Sequence, residues 1–307
     1  MGFNLFILND TRILPDRDFR EVAKRVRRLA PDIHAHVVTE RAGIGRARWL
    51  QLLRPSLFVQ IDPLEGLRIR RGTLAGPDRS SSGKMQAYRV LEAAGLPVPP
   101  WREIVPGIKL DPAEWGPWVV VKPDRGKQGI DVESVATAEL RYRSADELPP
   151  GHLGRTGPLL AQRYIPTVDG PSYYRVTTCF GEPLFALFLY SSPSNPRAHV
   201  RQAADEAPQI AVANAPARVA DDPDILALAR RVHALLPKVP TIGCDFLRDR
   251  RTGELWIAEI NQASVWQFSS PRGITFQARR GIDLYEQFGG LDRAAEAMVR
   301  ATRAFAR

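Results

Sequence analysis

The protein has 307 residues, of which 44% are hydrophobic and 25% are charged, and its formal net charge is +9. These proportions are typical of a folded globular protein and argue against a disordered or fibrous chain. The longest apolar run, Leu184 to Tyr190, is far shorter than the roughly 18 residues of a membrane-spanning helix, so we expect no such helix.

The first residues do not have the pattern of a targeting segment. No basic residue precedes the apolar run 3–8, and Asn9 and Asp10 end it early, so we expect no secretory signal. The two cysteines, Cys179 and Cys244, are too few for a disulfide framework or a zinc site. We therefore expect both to be reduced and buried, in a cytoplasmic protein.

Strand and helix patterns alternate in the N-terminal region. Strands are predicted at 3–8, 34–38 and 57–61, with helices at 16–29 and 46–53 between them. This β-α-β-α-β order predicts a small parallel sheet. His34 and His36 share one side of the second strand, where we expect an outward polar face and not a metal pair.

Positive charge is concentrated in the same region. Residues 1–75 contain fourteen Lys and Arg against eight Asp and Glu. We interpret the charge as a solvated Arg-rich surface together with an anion site. A dedicated nucleic-acid surface is the alternative, but no recognised DNA- or RNA-binding motif favours it.

Hairpins dominate the rest of the chain. A helix is predicted over 84–94, with Gly95 ending it, and a strand over 159–165. Three hairpins are predicted at 118–135, 173–190 and 241–261, and a long loop at 191–218. We further expect a helix at 224–236 and a mostly helical segment from 281 to the end, with a break at Gly289-Gly290.

The turn of the first hairpin has the composition of a phosphate-binding loop. The apolar strand 118–121 leads into Lys122, and Gly126 and Gly129 follow in the turn. Glycines let backbone N–H groups approach an anion, and a lysine adds a positive charge. An ordinary hairpin tip would show the same residues, and the segment does not match the P-loop motif.

The third hairpin carries three oxygen-bearing side chains. Glu259 and Asn261 are two residues apart on one strand, so they face the same side, and the hairpin brings Asp245 beside them. Two carboxylates and an amide oxygen form a ligand set that suits Mg²⁺. The alternative is a polar strand face at the surface of a sheet.

The strand at 159–165 is less informative. It ends in Gln162-Arg163-Tyr164-Ile165, where exposed backbone groups are able to bind the edge of a purine base. The same residues also fit an ordinary strand.

The order of these patterns resembles the ATP-grasp superfamily, and most closely its carboxylate–amine ligases, such as ribosomal-protein glutamate ligases and D-alanine–D-alanine ligases. The resemblance covers roughly residues 84–270. The matching patterns are Lys84 before Gly95-Leu96-Pro97-Val98-Pro99, Val121-Lys122-Pro123 with Gly126-Lys127-Gln128-Gly129-Ile130, Gln162-Arg163-Tyr164-Ile165, Tyr174-Arg175-Val176, and Asp245 with Glu259-x-Asn261.

The resemblance implies a role for each matching position. The implied phosphate ligands are Lys84, Lys122 and the backbone of a lid over Lys127, Gln128 and Gly129; the implied adenosine contacts are Gln162, Arg163 and Ile165 for adenine, Asp169 for ribose, and Val120 and Leu247 on the two faces of the base. Asp245, Glu259 and Asn261 are the implied ligands of two Mg²⁺ ions, with Glu259 bridging them. The catalytic candidates are Lys127 and Arg175, the latter near the reacting phosphate.

The implied fold is α/β with three parts: an N-terminal parallel-sheet domain at 1–80, a central subdomain with the phosphate lid at 81–165, and a C-terminal subdomain with the metal site at 166–307. The two subdomains would clamp ATP between antiparallel sheets. The implied activity is an ATP- and Mg²⁺-dependent ligation of a carboxylate to an amine through an acylphosphate, with Mn²⁺ as a possible replacement ion.

Two departures from the family pattern concern the second substrate. Tyr190 stands near a position where the glutamate-ligase type has an arginine, which Arg197 or Arg201 would have to replace. After Asn261 the chain reads Gln262-Ala263-Ser264 and not the family's usual Asn-x-x-Pro-Gly. We therefore expect an unusual acceptor.

The substrates and the oligomeric state stay open. The acid and the amine are expected to be small molecules or peptides, with no membrane partner. The sequence does not determine the oligomeric state, and a homodimer is one option. Two other functions compete with the ligase: an ATP-grasp small-molecule kinase, and a basic nucleic-acid-binding protein without catalysis.

Overall fold

A computed structural model describes residues 2–39, 41–61, 69–77, 83–126, 129–167, 171–190, 216–262 and 265–307, with only the backbone described at 41, 42 and 44. Three sheets organise these residues. Within the described ranges, no helix is both long and apolar enough to span a bilayer.

The first sheet is parallel throughout, as predicted. Its elements are β1 (Phe3–Leu8), α1 (Arg17–Leu29), β2 (Ile33–Val38), α2 (Arg41–Leu50), β3 (Ser56–Gln60) and β4 (Thr73–Ala75). The strand order is β2-β1-β3-β4, so β2 is an edge strand. Leu5 and Ile7 pack on the α1 side of the sheet, whereas Phe6 and Phe58 pack with Ala47 of α2 on the other side.

The second sheet is antiparallel and carries the first predicted hairpin. Its elements are α3 (Lys84–Ala93), β5 (Trp101–Glu103), α4 (Pro112–Trp115), β6 (Trp118–Pro123), β7 (Glu133–Ala136) and β8 (Leu159–Arg163). The strand order is β5-β8-β6-β7. Val119, Val121 and Ala161 point into a core shared with Trp115, because alternate residues of a strand face the same side.

The third sheet is also antiparallel and has five strands. Its elements are β9 (Ser172–Cys179), β10 (Glu182–Tyr190), β11 (Ala217–Val219), α5 (Pro223–Ala234), β12 (Thr241–Arg248), β13 (Leu255–Asn261), α6 (Pro271–Arg280) and α7 (Gly290–Phe305). The order is β11-β10-β9-β12-β13. Val176, Cys244 and Phe246 pack on α5, and the opposite face of β10 packs towards α7.

A tight turn explains why β9 and β10 form a hairpin. Phe180 and Gly181, the two residues between the strands, have φ values of 43° and 85°. Positive φ at both central residues is the geometry of a type I′ turn, which matches the twist of paired strands. Glycine adopts this conformation freely, so Gly181 supplies the local signal for the turn.

Several predicted elements were wrong or missing. The helix predicted at 46–53 begins earlier, at Arg41. Its first turns were missed because Gly43 and Gly45 weaken the helical pattern of the sequence. The stretch 281–289 is not helical: Gly281 and Gly289 both adopt the left-handed conformation, and α7 begins only at Gly290. The end of the predicted loop, Ala217–Val219, is strand β11, while 191–215 lie outside the described residues.

Helix α6 had no sequence signal because Pro, Gly and β-branched residues fill its first turns. Hydrogen bonds at its N-terminal end and to the segment just before it hold the helix instead. The Ser270 hydroxyl accepts a hydrogen bond from Gly273 N, and the Gln277 amide donates to the carbonyls of Gln267 and Phe268.

Both cysteines are free and buried, as expected. Burial raises the pKa of the Cys179 thiol to about 12 and also raises that of Cys244. Both groups are therefore neutral thiols at neutral pH, and neither has the exposed thiolate character of a reactive cysteine.

His233 makes the stability of the fold depend on pH. Its side chain is buried on α5, with Nδ1 2.7 Å from Thr178 Oγ1 and Nε2 2.9 Å from Val239 O. Burial lowers its pKa from 6.5 to about 4. Because the unfolded chain takes up this proton at a higher pH than the folded chain, we expect the free energy of unfolding to fall by about 3 kcal/mol as the pH drops from 6.5 to about 4.

Urea unfolding of the wild type and of His233→Gln across this pH range measures the effect. The variant should lose this component of the pH dependence, whereas substitution of the exposed His34 by Gln should keep it. An unchanged pH profile in His233→Gln would refute the assignment.

Candidate functional site

Lys122 lies where elements of the second and third sheets meet. It is 8% exposed near the end of β6. Its Nζ donates to Tyr88 Oη at 2.7 Å and to Gln162 Oε1 at 2.8 Å, and lies 3.5 Å from the Ala258 carbonyl. Because the buried ammonium is poorly solvated, its pKa falls from 10.5 to about 8.

Tyr88 links this lysine to the third sheet. It is fully buried on α3, and its hydroxyl donates to the Ala258 carbonyl at 2.6 Å. Asp245 pairs with Glu259 and Phe246 with Ile257, so Ala258 is the extra residue of a β-bulge. The bulge releases the Ala258 carbonyl from the strand ladder and makes it available to Tyr88.

The carboxylates lie on adjacent strands. In the β12–β13 register Asp245 is opposite Glu259, and Gly243 is opposite Asn261. On the other side, Arg175 of β9 is opposite Asp245 and binds both of its carboxylate oxygens, at 2.8 and 2.7 Å. The charge of Asp245 raises the pKa of Arg175, so this arginine keeps its positive charge at neutral pH.

Lys84 approaches the same carboxylates from the start of α3. Its Nζ lies 3.6 Å from Glu259 Oε1 and donates to the Gly126 carbonyl at 3.3 Å. Asp124 fixes this helix end, since its Oδ1 accepts a hydrogen bond from Met85 N and its carbonyl accepts one from Lys84 N. Burial lowers the pKa of Lys84, although Glu259 opposes the shift.

The two lysines come from α3 and β6 and the two carboxylates from β12 and β13, yet the four residues lie close together; we call the space between them the cleft. Glu259 keeps 34% of its side chain exposed, whereas Asp245 keeps 10%. The carboxylates and the lysine ammonium groups partly neutralise each other's charge. Together they offer cationic groups to phosphate oxygens and anionic groups to a metal ion.

The donor set fits Mg²⁺ by its chemistry. Asp245, Glu259 and Asn261 supply hard oxygen ligands on neighbouring strands, the ligand type that Mg²⁺ prefers. No group of three or more His, Cys, Asp or Glu in the described part of the chain could hold a metal ion, so such a site depends on the Asn261 amide as its third oxygen.

The predicted base-binding residues lie beside Lys122. Val120 is half-buried and pairs with Gln162 across β6 and β8, and Ile165 is buried just past the end of β8. The Gln162 Nε2 atom is buried and has no hydrogen-bond partner among the described residues. An unpaired buried donor is costly, so this atom points to a ligand acceptor.

The opposite wall contains an aromatic residue that the sequence analysis missed. Leu247 is half-buried and pairs with Trp256 in the β12–β13 register. The Arg163 guanidinium stacks over the Trp256 ring at 5.2 Å from its centre. A flat aromatic surface with a stacked cation suits a planar base.

The structure describes only some of the other predicted residues. Gly129 has a positive φ of 73°, which glycine tolerates best, and supports the turn after β6. Lys127, Gln128 and Asp169 lie outside the described residues.

Tyr88 and Ala258 were also missed from sequence. A signal for Tyr88 existed: it lies four residues after Lys84 on one helix, and residues at this spacing share a face. Ala258 had no such signal, because a bulge depends on the pairing of two strands and not on the side chain of its own residue.

Tyr88→Phe is expected to destabilise the protein by about 1–3 kcal/mol. The variant keeps the ring but removes the hydroxyl that donates to the partly buried Ala258 carbonyl and accepts a hydrogen bond from the Lys122 ammonium. Urea unfolding measures the loss. Tyr142→Phe, at an exposed tyrosine, is the matched control, and an equal stability of the two variants would contradict the inferred role of the hydroxyl.

Comparison with known proteins shows that the fold of the chain is a known one. No family model matches the sequence, and no curated protein matches it. Among solved structures, the D-cycloserine synthetase DcsG is similar with a TM-score of 0.53 and 18% identity, over 97% of this chain and 99% of that one.

Two further structures are similar over nearly their whole length. The D-alanine–D-alanine ligase from Bacillus anthracis has a TM-score of 0.50 and 15% identity, with 99% of each chain covered. The ATP-grasp ligase PsnB, complexed with the precursor peptide PsnA2 and AMPPNP, has a TM-score of 0.51 and 13% identity, over 97% of this chain and 98% of that one. At these identities the likeness shows a shared fold.

Proposed function

Because the chain has the ATP-grasp fold of carboxylate–amine ligases, we propose that it is an ATP-dependent enzyme that joins a carboxylate to an amine and releases ADP and phosphate. One observation carries the proposal: Lys84 and Lys122 face Asp245 and Glu259 across one cleft. Cations for a polyphosphate and oxygen ligands for its metal thus occur together.

The proposal assigns a binding role to each of the residues predicted from the sequence. Lys84 and Lys122 bind phosphate oxygens, while the backbone around Gly129, with Lys127 and Gln128, covers the terminal phosphates. The remaining assignments are to adenosine: Gln162, Arg163 and Ile165 contact adenine, Val120 and Leu247 enclose it, and Asp169 binds the ribose. The unpaired Gln162 Nε2 supports the adenine contact, since it lacks an acceptor among the described residues.

Asp245, Glu259 and Asn261 would hold Mg²⁺ in this proposal. When bound, the metal supplies charge neutralisation and orientation of the phosphates. Arg175 binds both oxygens of Asp245, so in this arrangement it positions that carboxylate. A direct contact between Arg175 and the reacting phosphate stays a prediction, as does a catalytic role for Lys127.

The chemistry requires little covalent help from the protein. The substrate carboxylate attacks the γ-phosphate of ATP, ADP leaves, and the resulting acylphosphate is attacked by the amine, which expels phosphate. Phosphoryl transfer depends mainly on positioning and charge stabilisation. The lysines supply both, because they hold the phosphates while negative charge moves towards the leaving ADP.

A screen of acids and amines with separate assays for ADP and phosphate tests the proposal. The solved relatives include one complexed with a peptide and one named as a D-alanine–D-alanine ligase, so the panels should contain amino acids and peptides. We expect equal amounts of ADP and phosphate, released only when an acid and an amine are both present. ADP without free phosphate, with the phosphoryl group on an acceptor, would indicate a kinase and overturn the ligase proposal.

A further inference from the structure

A second cavity lies on the N-terminal sheet, away from the residues of the cleft. Its volume is about 360 Å³, and it lies along the edge strand β2 between α1 and α2. Small-molecule sites in proteins begin at about this size. None of the residues assigned to the nucleotide or the metal lines it.

The walls of this cavity are cationic. Arg20 and Arg27 come from one face of α1, Arg46 comes from α2, and His36 comes from β2 between them. Arg20 is paired with Asp16 at 2.7 Å. Arg27 and Arg46 form no ion pair with any described residue, and no Asp or Glu lines the cavity in the described ranges.

The pKa of His36 is consistent with this excess of positive charge. Burial lowers the pKa of His36, and the neighbouring charges that lower it further are Arg46, His34, Arg27 and Arg54. The three arginines among these neighbours are positively charged. Uncompensated like charges repel one another, so an anion placed among them would be stabilised.

Packed side chains lie beneath the cationic walls of the cavity. The His36 ring stacks on Phe6 with ring centres 5.4 Å apart, and Ala47 is buried below Arg46 on α2. The Arg27 guanidinium is held in place because its Nη1 donates to the Ala35 carbonyl at 2.8 Å. A guanidinium fixed in this way loses less entropy when it binds an oxyanion.

We propose that this cavity binds a small anion with two or more negative charges, of the phosphate-ester or polycarboxylate class. Arginine binds both kinds of oxyanion through paired N–H groups. Arg27 on α1 and Arg46 on α2, which have no ion-pair partner among the described residues, match a ligand with charge at more than one point. The inference does not depend on the ligase proposal, because the two sites share no residue.

Isothermal titration calorimetry of the full-length protein tests this site, with inorganic phosphate and citrate as probes. We expect at least one probe to bind more tightly than about 1 mM, and the tighter one identifies the ligand class. Arg46→Gln and Arg27→Gln should each weaken binding about tenfold or more, since each removes a charged hydrogen-bond donor.

Lys24→Gln is the matched control, because Lys24 is an exposed cation of α1 outside the cavity. It should change the affinity by less than about twofold, as exposed charges are screened by salt. Equal loss in Lys24→Gln and Arg46→Gln would show only bulk attraction and overturn the proposal. Absence of binding, or binding that is lost in Lys122→Ala but kept in Arg46→Gln, would also overturn it.

Discussion

Glu259→Ala is expected to reduce acid- and amine-dependent ADP release by about a thousandfold or more. In the proposed mechanism this residue is the more exposed of the two carboxylates in the metal set, and its Oε1 lies 3.6 Å from Lys84 Nζ. The substitution removes a proposed metal ligand and also the carboxylate that pairs with Lys84. The developing charge on the phosphates would then lack its main stabilising groups.

The fold should tolerate this substitution. Glu259 is one-third exposed, and an ion pair of this kind contributes about 1 kcal/mol or less. Circular dichroism and urea unfolding should therefore resemble the wild type.

Glu254→Ala is the control for Glu259→Ala, since Glu254 is an exposed acid at the turn of the same hairpin. It should keep normal turnover. Near-normal turnover in Glu259→Ala would remove this residue from the metal site, whatever the substrates are.

Lys122→Ala is expected to weaken ATP binding by about ten- to a hundredfold, the effect of losing one charged hydrogen-bond donor to a phosphate. The side chain is already placed and desolvated before the nucleotide arrives, because Tyr88 and Gln162 hold its ammonium group. Equilibrium binding of ATP in the presence of Mg²⁺ measures the loss. Lys122→Met, which keeps most of the apolar stem, separates the lost charge from the lost packing.

Lys109→Ala is the control for the Lys122 variants, because Lys109 is an exposed lysine between β5 and α4. It should bind ATP normally. Unchanged affinity in both Lys122 variants would exclude this lysine from the phosphate site.

The pH dependence gives an independent measure of Lys122. Its pKa of about 8 means that the amine loses its charge at moderately alkaline pH. Phosphate binding favours the protonated form, so the affinity of the wild type for ATP should fall as the pH rises above about 8. Lys122→Met should flatten this profile, and an equal decline in the variant would assign the titration to another group.

Elements with strong local patterns could be predicted from sequence. The alternation of apolar strands and amphipathic helices gave the parallel sheet, and the glycine and turn residues gave the three hairpins, because these signals lie within about ten residues of one another. Helix α6 was missed because its own residues oppose a helix, whereas hydrogen bonds from the Gln277 amide to the carbonyls of 267–268 sustain it.

The members of the cleft could be named, but their contacts could not. Sequence spacing indicated that Glu259 and Asn261 share a strand face. It did not show that Arg175 binds Asp245, nor that Tyr88 joins Lys122 to the bulge at Ala258. For the cavity between α1 and α2, the sequence likewise indicated only an excess of positive charge in residues 1–75.

By itself, the sequence determined the α/β class, the order of the elements and the residue types available for nucleotide and metal chemistry. Only the tertiary structure decided which of them meet: Lys122 contacts residues 34, 40 and 136 positions away, and Arg175 contacts one 70 positions away. Local periodicity depends on backbone geometry within a few residues. Contacts at these separations depend on strand register and sheet packing, which no short segment of the chain encodes.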